Sequence, residues 1–394
     1  MMKEVVIVSG ARTPIADFMG SLEAFKADEL GVIAFKAAIQ KAGLAPQAIE
    51  EVVAGHTGQA GLGNSARLVT IKAGCPVETV SMTVNQQCPS SMRAAEIIAQ
   101  EIMLDKIEVG AAVGYESMTN CPYLLFGARK GYRLFDGENI KDSMMMGGLI
   151  DPFEGYHMGV TAENIAEMYE ISREEQDEYA FLSHQRAGQA IAAGWFKDEI
   201  IPVEVKSRKG VRIFDTDEHP KPDSSLEAVA KLKPFFKKDG TVTAFNASGM
   251  NDAGSALIMM SADKAEQLGI KPLVRVVATA SASVAPRIMG MGVVPAVERA
   301  LDSAGLKIND IDYWEINEAF AAQFLGVNRE LKIPLGNINA AGSGISLGHP
   351  VGATGARLII TLISEMKRRG SRYGCASLCA SGGPAAAFIV ENIQ

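Results

Sequence analysis

Three short segments, far apart in the chain, carry side chains of matching chemical type. Cys88 lies in Val84-Asn-Gln-Gln-Cys-Pro-Ser-Ser-Met92, His349 in Gly348-His-Pro350, and Cys379 in Cys379-Ala-Ser-Gly-Gly383. Two thiols and one imidazole suit nucleophilic sulfur chemistry, because a thiolate attacks a carbonyl carbon and an imidazole is a candidate base for making it. A strand-like run over 81–84 precedes Cys88 and a helix follows, with Pro89 suited to the first helical position. The Cys88 sulfur is therefore expected near exposed N–H groups and the positive end of a helix dipole, both of which lower a thiol pKa. One such cysteine alone reads as a packing residue, and the company of His349 and Cys379 changes the balance.

His349 sits in a glycine-rich, almost uncharged stretch, 339–355, whose backbone can approach a ligand closely. That stretch has no Gly-Lys-Ser/Thr ending and no following acidic partner, so it matches neither a P-loop nor a dinucleotide fingerprint. Cys379 ends an apolar strand and enters a Ser-Gly-Gly turn that can expose thiol and N–H groups together. Cys375 and Cys379 could supply two metal ligands, but a structural zinc site needs four and no second pair has suitable spacing, so no metal is expected. Cys75 and Cys121 read as packing residues. Asn317, in Asn317-Glu-Ala-Phe-Ala321, stands at a strand-to-helix turn. It reads either as a helix cap, with Glu318 favouring the helix start, or as an amide that holds a water or an oxyanion.

Elements from both ends of the chain must position these residues. Ala42-Gly-Leu44 with Ile49-Glu50 recurs as Ala304-Gly-Leu306 with Ile311-Asp312, a constant offset of 262. This reads as a duplicated domain, since the offset is longer than a solenoid or propeller period. Helical patterns over 30–41 and 295–303 each end at a glycine stop, and strands follow at 52–53 and 313–316. Cys88-Pro89 falls on His349-Pro350 at an offset of 261, each just ahead of an amphipathic helix, 92–103 and 356–366. The strand-like 109–115 aligns likewise with 373–379. Alternating strands and helices predict α/β layers with helix-covered sheets.

The expected domains are an N-terminal half over 1–118 with 248–270 returning to it, an excursion over 119–247, and a C-terminal half over 271–394. The excursion contains one clear helix, 172–193, opened by the capping box Ser172-Arg-Glu-Glu175. Its basic residues, Lys206, Arg208, Lys209, Arg212, Lys221, Lys231, Lys233, Lys237 and Lys238, read as solvated surface or as a phosphate-attracting face over a pocket.

The 394 residues, 47% hydrophobic and 21% charged, can bury two or three packed cores. Apolar runs are shorter than the roughly 20 residues of a membrane-spanning helix, and no secretion or peroxisomal signal is read at either end. The net charge of −8 argues against non-specific nucleic-acid binding. Five irregularly spaced cysteines suit free thiols in a reducing cytoplasm.

Taken together, Val6-Ile-Val-Ser-Gly-Ala-Arg-Thr-Pro14, His157-Met-Gly159, Thr241-Val-Thr-Ala-Phe-Asn-Ala-Ser-Gly-Met-Asn-Asp252, Asn317-Glu-Ala-Phe-Ala321, Gly348-His-Pro350 and Cys379 resemble the thiolases of the acetyl-CoA acetyltransferase type. The resemblance covers essentially the whole chain. It implies an α/β thiolase fold: duplicated βαβαβαββ halves stacked as a five-layered αβαβα core, with the excursion as a loop domain covering coenzyme A. It implies that Cys88 accepts the acyl group of a thioester, that His349 activates it, and that Cys379 moves the proton at the α-carbon. It assigns enolate stabilisation to His349 and to Asn317 through a water, and a second oxyanion site to the backbone N–H groups of Cys88 and Ser381. Coenzyme A is implied as a substrate with no tightly bound cofactor, contacted by Ser248, Met158, His157, Lys221, Leu232 and Ala247. A homodimer or dimer of dimers is implied as well.

Two departures bear on the acyl group. The family's usual Cys-Gly-Ser-Gly is Cys88-Pro-Ser-Ser91 here, and Cys-x-Gly-Gly-Gly is Cys379-Ala-Ser-Gly-Gly383. Ala228 and Phe245 also differ from common family residues, serine and glycine. These changes lead to the expectation of a bulky or substituted 3-oxoacyl-CoA, 2-benzoylsuccinyl-CoA being an example in which a small zinc-binding partner subunit takes part. The competing readings are a β-ketoacyl synthase-like enzyme, which usually carries histidine at the place of Cys379, and a catalytically silent acyl-CoA-binding protein.

Overall fold

Val5–Arg12 (β1) is apolar on both sides of its pleat, so it must be covered on both faces. In the computed structural model, which describes residues 2–58, 63–134, 140–207 and 210–394, it is. Val6 and Val8 pack outward against Phe35 and Ala38 of helix Ala27–Lys41 (α1). Val5 and Ile7 face the interior, where Ile98 of helix Ser90–Met103 (α3) and Leu358 of helix Val351–Arg369 (α8) belong to the same cluster.

The other strands of the main ladder are Glu51–Gly55 (β2), Val80–Val84 (β3), Val109–Ser117 (β4), Asn251–Ser261 (β5), Val274–Ser283 (β6), Tyr313–Ile316 (β7), Tyr373–Cys379 (β8) and Pro384–Asn392 (β9). They follow the spatial order β7-β8-β9-β6-β1-β5-β4-β2-β3. The two halves of this ladder meet only at Val6↔Arg275 and Ile7↔Val274. Helices α1 and Ser65–Ala73 (α2) cover the outside of one half, while Val293–Ala304 (α6) and Ala321–Leu331 (α7) cover the outside of the other. With α3 and α8 between the sheets, these are the five layers of an αβαβα core.

The first half runs β1-α1-β2-α2-β3-α3-β4-β5, the expected order. In the second half the counterpart of β3 shrinks to one parallel bridge, Trp314↔Ile338. The reason is local. Asn339 adopts a left-handed φ of 49°, and its side chain bonds both the N–H (2.9 Å) and the carbonyl (2.7 Å) of Ile316, replacing ladder contacts.

Helix Arg173–Ala192 (α5) carries the expected capping box, Ser172 Oγ accepting from Glu175 N–H. The excursion is tied to the core by Arg12, fully buried at the end of β1. Its guanidinium grips Asp217 with two hydrogen bonds (2.8 and 2.9 Å) and donates to Glu199 (3.0 Å). Thr361 of α8 donates to the same Glu199 oxygen.

The central helix layer tolerates almost no extra atoms. A Cβ on Gly55 would fall 2.3 Å from the backbone nitrogen of Ser91, and one on Gly355 would fall 2.5 Å from that of Met92. Because the atoms met are backbone, neither contact can relax by a rotamer change. Gly55→Ala is expected to lower stability by about 1–3 kcal/mol through overpacking, read as a shifted urea midpoint. An unchanged midpoint would show that α3 can move away from β2.

Candidate active site

The turn from β3 to α3 presents Cys88. Gln87 before it has a left-handed φ of 59°, and Ser90 locks the turn by donating to the Gln87 carbonyl (2.5 Å) and accepting from Gln86 N–H (2.9 Å). Cys88 is half-buried and opens into a cavity of about 320 Å³, largely apolar, whose walls come from both halves and from the excursion. His349 and Ser381 line the same cavity.

The His349 ring is held from two sides. Nδ1 lies 2.7 Å from Thr354 Oγ1, and that hydroxyl donates its one proton to the Pro350 carbonyl (2.9 Å). Thr354 can then only accept, so the ring proton sits on Nδ1 and Nε2 carries the lone pair. Asn317 Nδ2 is 3.4 Å from Nε2. The other atom of that amide, Oδ1, is buried without a protein partner, and Gly344 makes space for it, since a Cβ there would fall 2.6 Å away. A bare acceptor takes a donor, so a water suits this atom while a carbonyl or enolate oxygen of a substrate does not. The loop is set by Asn251, whose Oδ1 accepts from His349 N–H (2.9 Å), and by Gly348 at φ 99°, where a Cβ would strike the Asn251 amide.

Burial dominates the electrostatics. It holds the His349 imidazole neutral, its pKa lowered to about 3, with the buried Arg357 guanidinium adding to the effect. Burial pushes the Cys88 thiol up to about 12. The N–H groups of Cys88 and Ser381 both point at the Cys88 sulfur and pull the other way, but do not win. The helix-dipole expectation of a lowered thiol pKa is therefore corrected: the sulfur rests as a thiol. Cys379, fully buried at the end of β8, is raised as well, by burial and then by the neighbouring Cys88. The arrangement can move a proton from a thiol to a neutral ring and can receive negative charge at two N–H donors.

Ser248, Ala247, Met158 and His157 also line the cavity. His157 caps helix Met158–Met168 (α4) by accepting from Gly159 N–H (3.1 Å) and stacks on Phe236 (4.5 Å). Lys221 and Leu232 do not line it and are exposed on the excursion. Lys231, Lys233, Lys237 and Lys238 are exposed too, while Arg208 and Lys209 lie outside the described residues. Among the described residues no group of three or more His, Cys, Asp or Glu could hold a metal.

The expectation of a reshaped pocket wall is corrected for four of its five carriers, of which Ala228 is exposed on the excursion, outside the cavity. Pro89 is not in the lining. Ser91 is fully buried on the far side of α3, where it accepts from Ala356 N–H (2.9 Å) and fits against Gly55 and Gly114. Phe245 packs on His184 (4.6 Å) outside the cavity. Only Ser381 faces it. Sequence reading missed Glu116, Thr354 and Asn251. Thr354 alone had a usable signal, standing five residues after His349 in the first turn of a helix.

With the thiol pKa raised, alkylation of Cys88 by iodoacetamide, located by mass spectrometry, is expected to climb about tenfold per pH unit from 7 to 9 without levelling near the ordinary 8.5. A plateau below pH 8 would mean a preformed thiolate.

The chain matches the family models of the thiolase N-terminal domain over residues 5–263 and the thiolase C-terminal domain over 270–392. It is 49% identical over 397 residues to an acetyl-CoA acetyltransferase of Syntrophomonas wolfei, and 45% identical over 395 residues to one of Escherichia coli, with 100% of both chains covered in each case. Its fold superposes with a TM-score of 0.97 on the solved acetyl-CoA acetyltransferase from Syntrophomonas wolfei, at 48% identity and full coverage of both chains. The score is 0.95 on human mitochondrial 3-ketoacyl-CoA thiolase in complex with CoA, at 39% identity, covering 100% of this chain and 98% of that one. On sequence and fold alike, the chain belongs to the thiolases, and it is an acyltransferase enzyme of that family.

Proposed function

We propose that the protein cleaves a short 3-oxoacyl-CoA with coenzyme A, or runs the reverse Claisen condensation, through an acyl-Cys88 intermediate. The observation that carries this is one cavity where the Cys88 thiol, a neutral His349 with its lone pair on Nε2 and two N–H groups aimed at the sulfur meet. In thiolysis the Cys88 proton passes to His349 Nε2 while sulfur attacks the 3-oxo carbon, whose oxyanion takes the N–H groups of Cys88 and Ser381. Breaking the C2–C3 bond leaves a thioester enolate, stabilised by protonated His349 and by a water on Asn317. Cys379 gives a proton to C2, then regains one from the incoming coenzyme A thiol as the acyl group leaves Cys88, and protonated His349 returns its proton to the departing Cys88 sulfur.

The pantetheine arm lies along Ser248, Ala247, Met158 and His157, while Lys221 and Leu232, outside the cavity, are left for the nucleotide end. Acetoacetyl-CoA is the first substrate of this reading, because the relatives are named acetyl-CoA acetyltransferases. The bulky aromatic alternative keeps only Ser381 of the residues that suggested it, and the zinc-binding partner subunit goes with it. A second copy of the chain is the partner best supported: β3 is an edge of the ladder with Val80 and Met82 exposed, and Tyr123 and Leu134 are exposed as well. No helix among the described residues is long and apolar enough to cross a membrane. Five free cysteines fit a reducing cytoplasm.

Incubation with acetyl-CoA is expected to leave a thioester on Cys88, seen as an acetyl mass on its peptide. Cys379→Ala should still acylate but lose carbon–carbon bond formation by about 10³-fold or more, the loss of one proton-transfer group. Absence of any adduct, or equal loss of both steps in Cys379→Ala, contradicts the division of roles.

A further inference from the structure

The cavity contains polar groups that the reaction does not use. Gln87, directly before Cys88, occupies a left-handed position that favours glycine, yet carries a long amide side chain. Its Oε1 lies against Gly148, where a Cβ would fall 2.7 Å from it, and both residues line the cavity. Among the described residues the Gln87 amide has no hydrogen-bond partner. Ser143, in the same wall as Gly148, has a buried Oγ that is likewise unpartnered. The remaining polar carboxylate of the lining, Glu116, is already saturated: its oxygens accept from the N–H groups of Thr57, Gly58 and Gly352. Among the described residues no lysine or arginine lines the cavity.

Resting on the acyl-Cys88 reading above, we infer that Gln87 and Ser143 form a specificity wall for acyl groups that carry a neutral oxygen function, a hydroxyl or a carbonyl, beyond the carbon bound to sulfur. A hydrocarbon tail entering this end displaces water from the Gln87 amide and leaves the buried Ser143 hydroxyl unpaired, whereas a hydroxyl or carbonyl returns a hydrogen bond. A terminal carboxylate is disfavoured, because it meets the Glu116 carboxylate and no cation. An acetyl group, too short to reach the wall, is indifferent to it.

The wall is tested by exchange of labelled coenzyme A into acyl-CoAs, which reads acylation of Cys88 without condensation. For the wild-type enzyme, kcat/KM for 3-hydroxybutyryl-CoA is expected to exceed that for butyryl-CoA by about five- to tenfold, the worth of one or two neutral hydrogen bonds. Succinyl-CoA should fall below both. Gln87→Leu is expected to bring the hydroxybutyryl-to-butyryl ratio to one or lower, and Ser143→Ala to reduce it. The ratio is internal to each variant, so it does not depend on how much protein folds. A wild-type preference for butyryl-CoA, a ratio unmoved by both substitutions, or succinyl-CoA as the best of the three overturns the inference while leaving the thiolase reading intact. Failure of every acyl-CoA, acetyl-CoA included, to exchange overturns the acyl-Cys88 reading and this inference together.

Discussion

Everything in this site depends on two helices meeting at backbone distance between two sheets. Cys88 stands at the N-terminal end of α3 and His349 at that of α8, so a thiol from one half can face an imidazole from the other only if these helices pack without spacers. Gly55, Gly114 and Gly355 remove the spacers, and Ser91 fills the notch between them with a side chain just large enough to accept a hydrogen bond from Ala356. Because the clashing atoms are backbone, the distance between the two reactive groups is set by steric exclusion rather than by side-chain rotamers. The flanking clusters, one on each outer face, then hold the sheets that hold the helices.

The same packing decides the proton inventory. In water a thiol and an imidazole differ by about two pKa units, and a helix dipole would narrow the gap toward an ion pair. Burial acts in opposite directions on the two groups, since it penalises the anion of one and the cation of the other, and it exceeds what two N–H donors supply. The resting pair is therefore neutral. Charge appears on both groups only when an electrophile is present to take the sulfur's electrons, which confines the reactive thiolate to the occupied site.

The duplication is readable in the chain: matched stop signals, strands and Cys-Pro against His-Pro offsets mark α3 and α8 as counterparts. Long, strongly patterned elements such as α5 with its capping box were legible because their determinants are local. The shrunken strand at Ile338 was not, because it is replaced by the side chain of Asn339 acting across to Ile316, a contact that no period or propensity encodes. Thr354, Asn251 and Glu116 escaped for a related reason. Glu116 and Asn251 act through hydrogen bonds to residues brought near by folding, and in sequence each of the three resembles an ordinary polar residue of a helix turn or a strand.

Ser91 and Gln87 show why adjacency to a reactive residue is a poor guide to its surroundings. Ser91, three residues after Cys88, attracted notice as a departure from a glycine, yet the helix carries it to the opposite face, where it serves helix packing. Gln87, one residue before, drew none, yet the left-handed turn directs its amide into the cavity. What separates them is the change from a turn to a helix at Cys88. Upstream of the sulfur the backbone still follows the cavity wall, and downstream the helical period takes most side chains into the protein interior. Specificity on the acyl side is then expected to be written in the residues that lead into the nucleophile and in the segment facing them, not in those that follow it.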